Sequence, residues 1–454
     1  MDHLPGPAGY PLVGNVGIDT AHFHQQLEKW AHEYGPLYRM RLMDRRFIVS
    51  SRGKDIAQIL HDRPDQWRRT QRLASVLEEA AACGVFSAEG DEWRRQRKLV
   101  MHALTPEVVN RFQPTLAAMT ERLRQRWLAA AQAGQPQRLL RDLKAYALDV
   151  TIGMAMGQDQ DMLDHEDKRL QQDIEFVFSQ VARRVVAPIA YWRTVKLPVD
   201  RATDAAGARI RAAVDGFIAD ARARMAADPA LHDQPGNLLE AMLVAADSPG
   251  SGISDEMVQA NAINMVFAGE DTTANTLAWL LYLLANAPHA AARLAEEADG
   301  KPGLEQMPYL DACVHEAMRM KPVAPILAAE PVRDAALDGV QVPAGTVVFL
   351  LLRHAFEREV ALADGAQFRP ERWLDPAMKE KLDDPARKMV PFGGGPRFCP
   401  GRYLAMCEIR TVMSMLARSF TIHAVPDAPP VEEVFTFTMT PSALPLLLRA
   451  RSLC

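Results

Sequence analysis

From Ser254 to Asn286 the chain keeps a helical residue pattern and contains no proline. At 1.5 Å per residue such a segment makes a rod roughly 50 Å long, enough to cross a whole domain. Any fold for this chain has to be built around it. Ser254 offers a cap, and Asp255 and Glu256 fall in the first turn, where the helix dipole favours negative charge. The rod is apolar except at its midpoint, where Ala268-Gly-Glu-Asp-Thr-Thr273 sets an acid beside a hydroxyl. Thr272 is placed to bond back to the Ala268 carbonyl, and Gly269 removes side-chain cover at the same level. Two readings stand here: a polar notch, opened locally in the helix, that holds a small polar molecule, or a solvated face that tolerates a glycine.

The stretch Pro391-Phe-Gly-Gly-Gly-Pro-Arg-Phe-Cys-Pro-Gly401 has the opposite character. Three consecutive glycines let the backbone turn tightly and approach something flat. Arg397 puts a cation two residues before Cys399, and Pro400 stands where a helix begins, continued by Arg402–Leu416. A cysteine at a helix N-terminus is stabilised as the thiolate. Nucleophile, metal ligand and buried thiol all remain open for it. Cys83, Cys313, Cys407 and Cys454 are scattered, and no Cys-x-x-Cys pair occurs. That argues against a disulfide framework and structural zinc, and predicts a reducing, cytoplasmic setting.

With 48% apolar residues a large core is available, while a net charge of −5 and the lack of any basic tract argue against nucleic-acid binding. The proline-rich start, without an apolar run, predicts neither signal peptide nor membrane anchor. Ala21–Tyr34 reads as a helix, and Leu37–Met43 with Arg46–Ser50 as a hairpin around Asp44. From about Lys54 the pattern is mostly helical, with breaks expected at Pro64, Pro106, Pro114 and Gly134–Pro136. Leu73–Gly90 reads as irregular, Asp91–Val100 as helical, 168–183 and 203–226 as two more helices, and 233–252 as a loose connection. A helix is expected over Met307–Met320, β structure over 326–352, and a hairpin at Val434–Met439. The sum is one mainly α domain over residues 1–454 with a minor β region.

Two side-chain pairs add to this. Glu316 and Arg319 stand three apart on one predicted helix face, and Arg372 could complete a buried cluster with them. Trp93 and Arg97, four apart, present an indole N–H and a guanidinium to one side. A basic helix face with Arg94, Arg95 and Lys98 explains the second pair equally well.

Phe392, Gly395, Arg397, Cys399 and Gly401 fit Phe-x-x-Gly-x-Arg-x-Cys-x-Gly, and with the signals above they follow one order along the chain. In this the sequence resembles the cytochrome P450 family over nearly its whole length. The resemblance implies that family's fold, with haem b (iron protoporphyrin IX) between a long central helix and the cysteine-ligand loop. Cys399 would be the axial thiolate, Phe392 would pack beside it, and Arg397, Trp93 and Arg97 would bind the haem propionates. Ala268 and Gly269 would form a groove for oxygen, and Asp271 and Thr272 the acid–alcohol pair that brings protons to it. Glu316, Arg319 and Arg372 would be a structural cluster. Many relatives carry a further propionate arginine where Pro325–Glu330 has none, which leaves Arg333 as the substitute to examine.

The resemblance also implies a monooxygenase that inserts one atom of O2 into a substrate by hydroxylation or epoxidation. Pocket walls would include Leu73, Val76, Leu77, Phe86, Val266, Ile326, Leu327 and Met439, side chains that predict an apolar substrate of terpenoid, steroid or fatty acyl type. No flavin module or iron–sulfur cysteine set is evident, so a soluble, bacterial-type monomer served by a ferredoxin or flavodoxin and its NAD(P)H-dependent reductase is expected. Arg94, Arg95, Lys98, Arg387, Lys388, Arg402 and Arg410 would form its docking face. The alternatives are a peroxide-driven peroxygenase or isomerase, and a non-catalytic haem sensor.

Overall fold

A computed structural model of the chain describes residues 3–80, 84–163, 169–187, 189–300 and 306–451, excluding the side chains of residues 102 and 103. Cys83, Cys454 and residue 168 of the helix predicted over 168–183 lie outside them. Two compact units emerge.

The first unit comprises Met1–Leu73, Trp279–Cys399 and Pro429–Ala443. Its centre is a five-stranded sheet in the order Leu37–Leu42, Arg45–Ser50, Val347–Leu351, Ile326–Pro331, Trp67–Arg68. The second and third strands run parallel and the other neighbours antiparallel. Successive side chains alternate between faces. Ile48, Val348 and Leu350 therefore pack with Ile56, Ile59 and Leu60 of the Gly53–His61 helix. Val49 and Leu351 pack instead with Leu27 and Ala31 of the Phe23–Tyr34 helix. Both faces are covered, which is why Thr346–Leu352 reads as one continuous apolar run. The predicted hairpin pairs Leu42 with Arg45 around Met43-Asp44. Glu433–Phe435 pairs with Met439–Pro441, and the helix expected before Pro322 is Pro308–Met320.

The second unit, Ala74–Ala278, Pro400–Ala428 and Leu444–Cys454, is almost wholly helical. Its helices include Gly90–Ala103, Pro106–Gln132, Leu139–Met156, Arg169–Val186, Pro198–Ala227, Leu238–Asp247 and Arg402–Ser419. Leu139–Met156 is buried around most of its circumference, the mark of a core helix. The predicted rod is the helix Asp255–Ala285, with the Ser254 hydroxyl accepting from the Met257 N–H at 3.3 Å.

Three local expectations fail for physical reasons. Pro114 does not end the Pro106–Gln132 helix, because Leu116, Met119, Leu123 and Trp127 bury one continuous face around it. Gln71–Glu79, expected to be irregular, is a helix that buries Val76 and Leu77. The loose connection contains the helix Leu238–Asp247, capped by the Asn237 side chain on the Glu240 N–H. Among the described residues no helix is long and apolar enough to cross a membrane.

Candidate functional site

Cys399 closes its own loop: its N–H donates to the Phe392 carbonyl at 2.8 Å. Inside that closure Gly393 and Gly395 have φ of +68° and +62°, which disfavours a side chain. A Cβ on Gly395 would stand 1.9 Å from the Leu60 carbonyl oxygen. Packing on Leu60 within the same unit thus already requires a glycine there, whatever flat group the loop also meets. The Cys399 thiol is half-buried and outside any disulfide, and Phe392, Arg397 and Gly401 are half-buried with it. Pro400 precedes the helix instead of opening it, since Gly401 is the N-cap and Arg402 the first helical residue. A reduced, partly accessible thiol on a rigid loop, followed in the chain by a helix N-terminus, suits a soft axial ligand for haem iron.

Glu316, Arg319 and Arg372 do meet. The guanidinium of Arg319 donates through Nε and Nη2 to both Glu316 oxygens, each at 2.9 Å, and Arg372 Nε reaches Oε1 at 2.9 Å. Trp373 Nε1 and the Arg369 N–H complete the shell of Glu316 at 2.8 and 3.1 Å. Arg372 also holds Asp364 at 2.9 Å, and the Arg372 and Arg369 guanidiniums keep that carboxyl far below the usual range. All three named charges are buried, and the cluster is viable only because each is paired.

On the long helix Thr272 Oγ1 donates to the Ala268 carbonyl at 2.9 Å, as its position suggests, yet the helix stays continuous and does not open. Met265, Ala268 and Thr272 share one face. Ala268 is exposed and Thr272 half-buried there, while Val266, Phe267 and Glu270 are buried. That strip offers small and hydroxyl groups, which suits a planar ring and a small polar ligand. Gly269 turns elsewhere. A Cβ on it would lie 1.9 Å from Thr151 Oγ1 and 2.7 Å from Thr151 Cβ, so this glycine lets two helices cross. Asp271 does not stand toward solvent by itself: Lys144 Nζ lies 3.1 Å from its Oδ1 and 3.6 Å from Glu175 Oε1. Trp93 and Arg97 are both buried on the Gly90–Ala103 helix, whereas Arg94, Arg95, Lys98 and Arg402 are exposed and Arg410 half-buried. Arg387, Lys388 and Arg333 are exposed in the sheet unit.

The expected pocket walls divide. Leu73 and Phe86 are half-buried, and Val76, Leu77 and Val266 are buried in the helical unit. Ile326 is part of the core around Leu27 and Tyr38, and Leu327 packs on the core of Ile48 and Leu350. Met439 accepts a bond from Trp279 Nε1 at 3.1 Å and donates its N–H to the Val323 carbonyl at 2.8 Å. These last three also pack within the sheet unit. Lys144 and Glu270 escaped notice in the sequence. A lysine set between Leu143 and Ala145 in Leu139–Met156, and a second acid beside Asp271, were the available signals.

A model of the family described as cytochrome P450 matches residues 4–448. Similar curated proteins include "Protein LUTEIN DEFICIENT 5, chloroplastic" of Arabidopsis thaliana, 25% identical over 88% of this chain and 69% of that one. Beta-amyrin 24-hydroxylase of Glycine max is 26% identical, with 92% and 85% covered. A self-sufficient cytochrome P450 monooxygenase of Aspergillus niger is 26% identical over 97% of this chain, which spans 42% of that longer protein.

Proposed function

This chain belongs to the cytochrome P450 family, and from that premise we propose that it hydroxylates or epoxidises an apolar small molecule with electrons from a separate protein. Membership makes it a haem-thiolate monooxygenase. The finer reading is an apolar terpenoid, steroid or fatty acyl substrate, with a ferredoxin or flavodoxin and its NAD(P)H-dependent reductase as the electron source. A relative named for hydroxylating beta-amyrin supports a carbon-rich small molecule. Exposed Arg94, Arg95, Lys98 and Arg402 support an acidic electron donor.

The observation that carries the reading is the Cys399 loop, closed by its 2.8 Å hydrogen bond and fixed against Leu60. Haem, when bound through this sulfur, supplies the activation of dioxygen, which a thiolate ligand favours. Phe392 would pack beside the sulfur, and Arg397, Trp93 and Arg97 would bind the propionates by charge-assisted hydrogen bonds. Thr272 has spent its hydroxyl proton on the Ala268 carbonyl, so its oxygen presents lone pairs that hold a water. Asp271, beside Lys144, is the carboxylate from which that water is recharged with protons.

Thr272→Ala tests this assignment. With a ferredoxin, its reductase and NAD(P)H, the variant is expected to release far more peroxide per oxygen consumed than the native protein. An unchanged ratio, or turnover with peroxide alone and none with the reductase chain, would overturn it.

A further inference from the structure

Residues 122–141 hold five arginines and no carboxylate, in a chain whose net charge is −5. They are spaced too widely to read as a basic run, yet four of them meet in the fold. Arg122 and Arg126 stand four apart on Pro106–Gln132 and so share a face. Past that helix Gly134 takes a φ of +62°, which favours glycine, and the chain turns through Pro136 into Leu139–Met156. Gln137 fixes this turn. Its amide donates to the Leu448 carbonyl at 3.0 Å and accepts from the Leu448 N–H at 2.8 Å. Arg138 and Arg141 are thereby brought to the same hollow, of about 850 Å³, that Arg122 and Arg126 line. Ala129, Ala130 and Ala133 line it as well, and their small side chains leave it open.

The four guanidiniums differ in what already answers them. Arg122 is met by Asp159 at 2.9 Å and by Asp161 at 3.2 Å. Arg126 Nε donates to Asp142 Oδ1 at 3.1 Å, and Trp127 Nε1 takes the other oxygen at 3.0 Å. Asp142, the one carboxylate lining the hollow among the described residues, is therefore committed. Arg138 and Arg141 are exposed, and their side chains make no hydrogen bond or ion pair among the described residues. Like charges gathered in one concavity raise its positive potential, which an anion relieves. We propose that this hollow binds an organic diphosphate, a small molecule carrying two adjacent phosphate groups on a compact body. A guanidinium meets phosphate oxygens through two parallel N–H bonds, a geometry that lysine cannot offer. Arg138 and Arg141 each take one phosphate, and the alanine wall admits the body. The volume lies within the range of small-molecule sites. Binding here is non-covalent, and no step of the reaction proposed above depends on it.

Calorimetric titration of the haem-loaded protein tests this, with ADP and inorganic pyrophosphate as probes in a low-salt buffer free of divalent cations. Both should bind at one site per chain, and added salt should weaken them because the charges are exposed and screened. Replacing both free guanidiniums, Arg138→Gln with Arg141→Gln, should weaken ADP by about tenfold or more, since the charge-assisted bonds are lost. Ala129→Glu keeps every arginine and sets a carboxylate in the hollow. It should weaken ADP to a similar extent, and it keeps the test alive should the double variant fold poorly. Arg201→Gln removes an exposed charge from Pro198–Ala227 and should leave the affinity unchanged. Failure of either ADP or pyrophosphate to bind the native protein would overturn the proposal. So would ADP binding that is unaltered in Ala129→Glu or in a folded double variant, or that Arg201→Gln weakens as much, which would mark attraction to the surface at large. Inorganic phosphate or citrate binding as tightly as ADP would overturn the assignment of a diphosphate.

Discussion

His354 and His32 meet edge to face, with ring centroids 4.4 Å apart, on the helices Leu352–Val360 and Phe23–Tyr34. Neither ring nitrogen of His354 has a hydrogen-bond partner among the described residues. Burial, helped by the charge of His32, depresses its pKa from 6.5 to about 4. Between those values the unfolded chain binds more protons than the folded one, so stability rises with pH across the window and is lost as pH falls through it. His354→Leu removes the group that must be charged. The slope of stability against pH between about 4 and 6.5 should flatten in chemical denaturation, and an unchanged slope would show that His354 does not set it. At this scale the sequence was legible where chemistry is local. Glu316 and Arg319 could be paired from spacing alone, but the contributions of Trp373 and Asp364 to the same cluster depend on how a distant loop is folded back.

Helices in this protein are placed by what lies opposite them. Gly269 and Thr151 occupy one crossing, where an added Cβ would come within 1.9 Å of a hydroxyl oxygen. Gly269→Ala should destabilise the fold by about 1–3 kcal/mol, the usual range for overpacking. Thr151→Ala deletes the Oγ1 and Cγ2 atoms nearest the new methyl but leaves Cβ at 2.7 Å, so the double variant should recover part of that loss. A double-mutant cycle with no coupling would contradict the crossing. This explains why the long helix could be read with its cap and its Thr272–Ala268 bond, while the reason for its glycine could not. A pattern along one helix reports which residues are apolar or small, not which neighbour fills the space. Pro114 makes the same point in reverse: a breaker by local rule, it sits inside a helix because the face around it is buried continuously.

Across the whole molecule, the mainly α composition and the minor β region were evident from helical patterning and from the β-rich run at 326–352. The pairing of Arg45–Ser50 with Val347–Leu351 was not, because it joins segments far apart in the chain and no turn chemistry announces it. The loop at Pro391–Gly401 was the most legible part of all. Its glycines are demanded by backbone conformation and by close packing on Leu60, and both leave their trace in residue identity. Everything proposed about reaction and proton supply depends on the iron's ligand atom being the Cys399 sulfur. The direct test is the absorption spectrum of the reduced, carbon-monoxide-bound protein, recorded for the native chain and for Cys399→His. The native protein should show the red-shifted band characteristic of a thiolate ligand, and the variant should lose it while still binding haem. A thiolate-type band that persists in Cys399→His, or is missing from the native protein, would contradict the account.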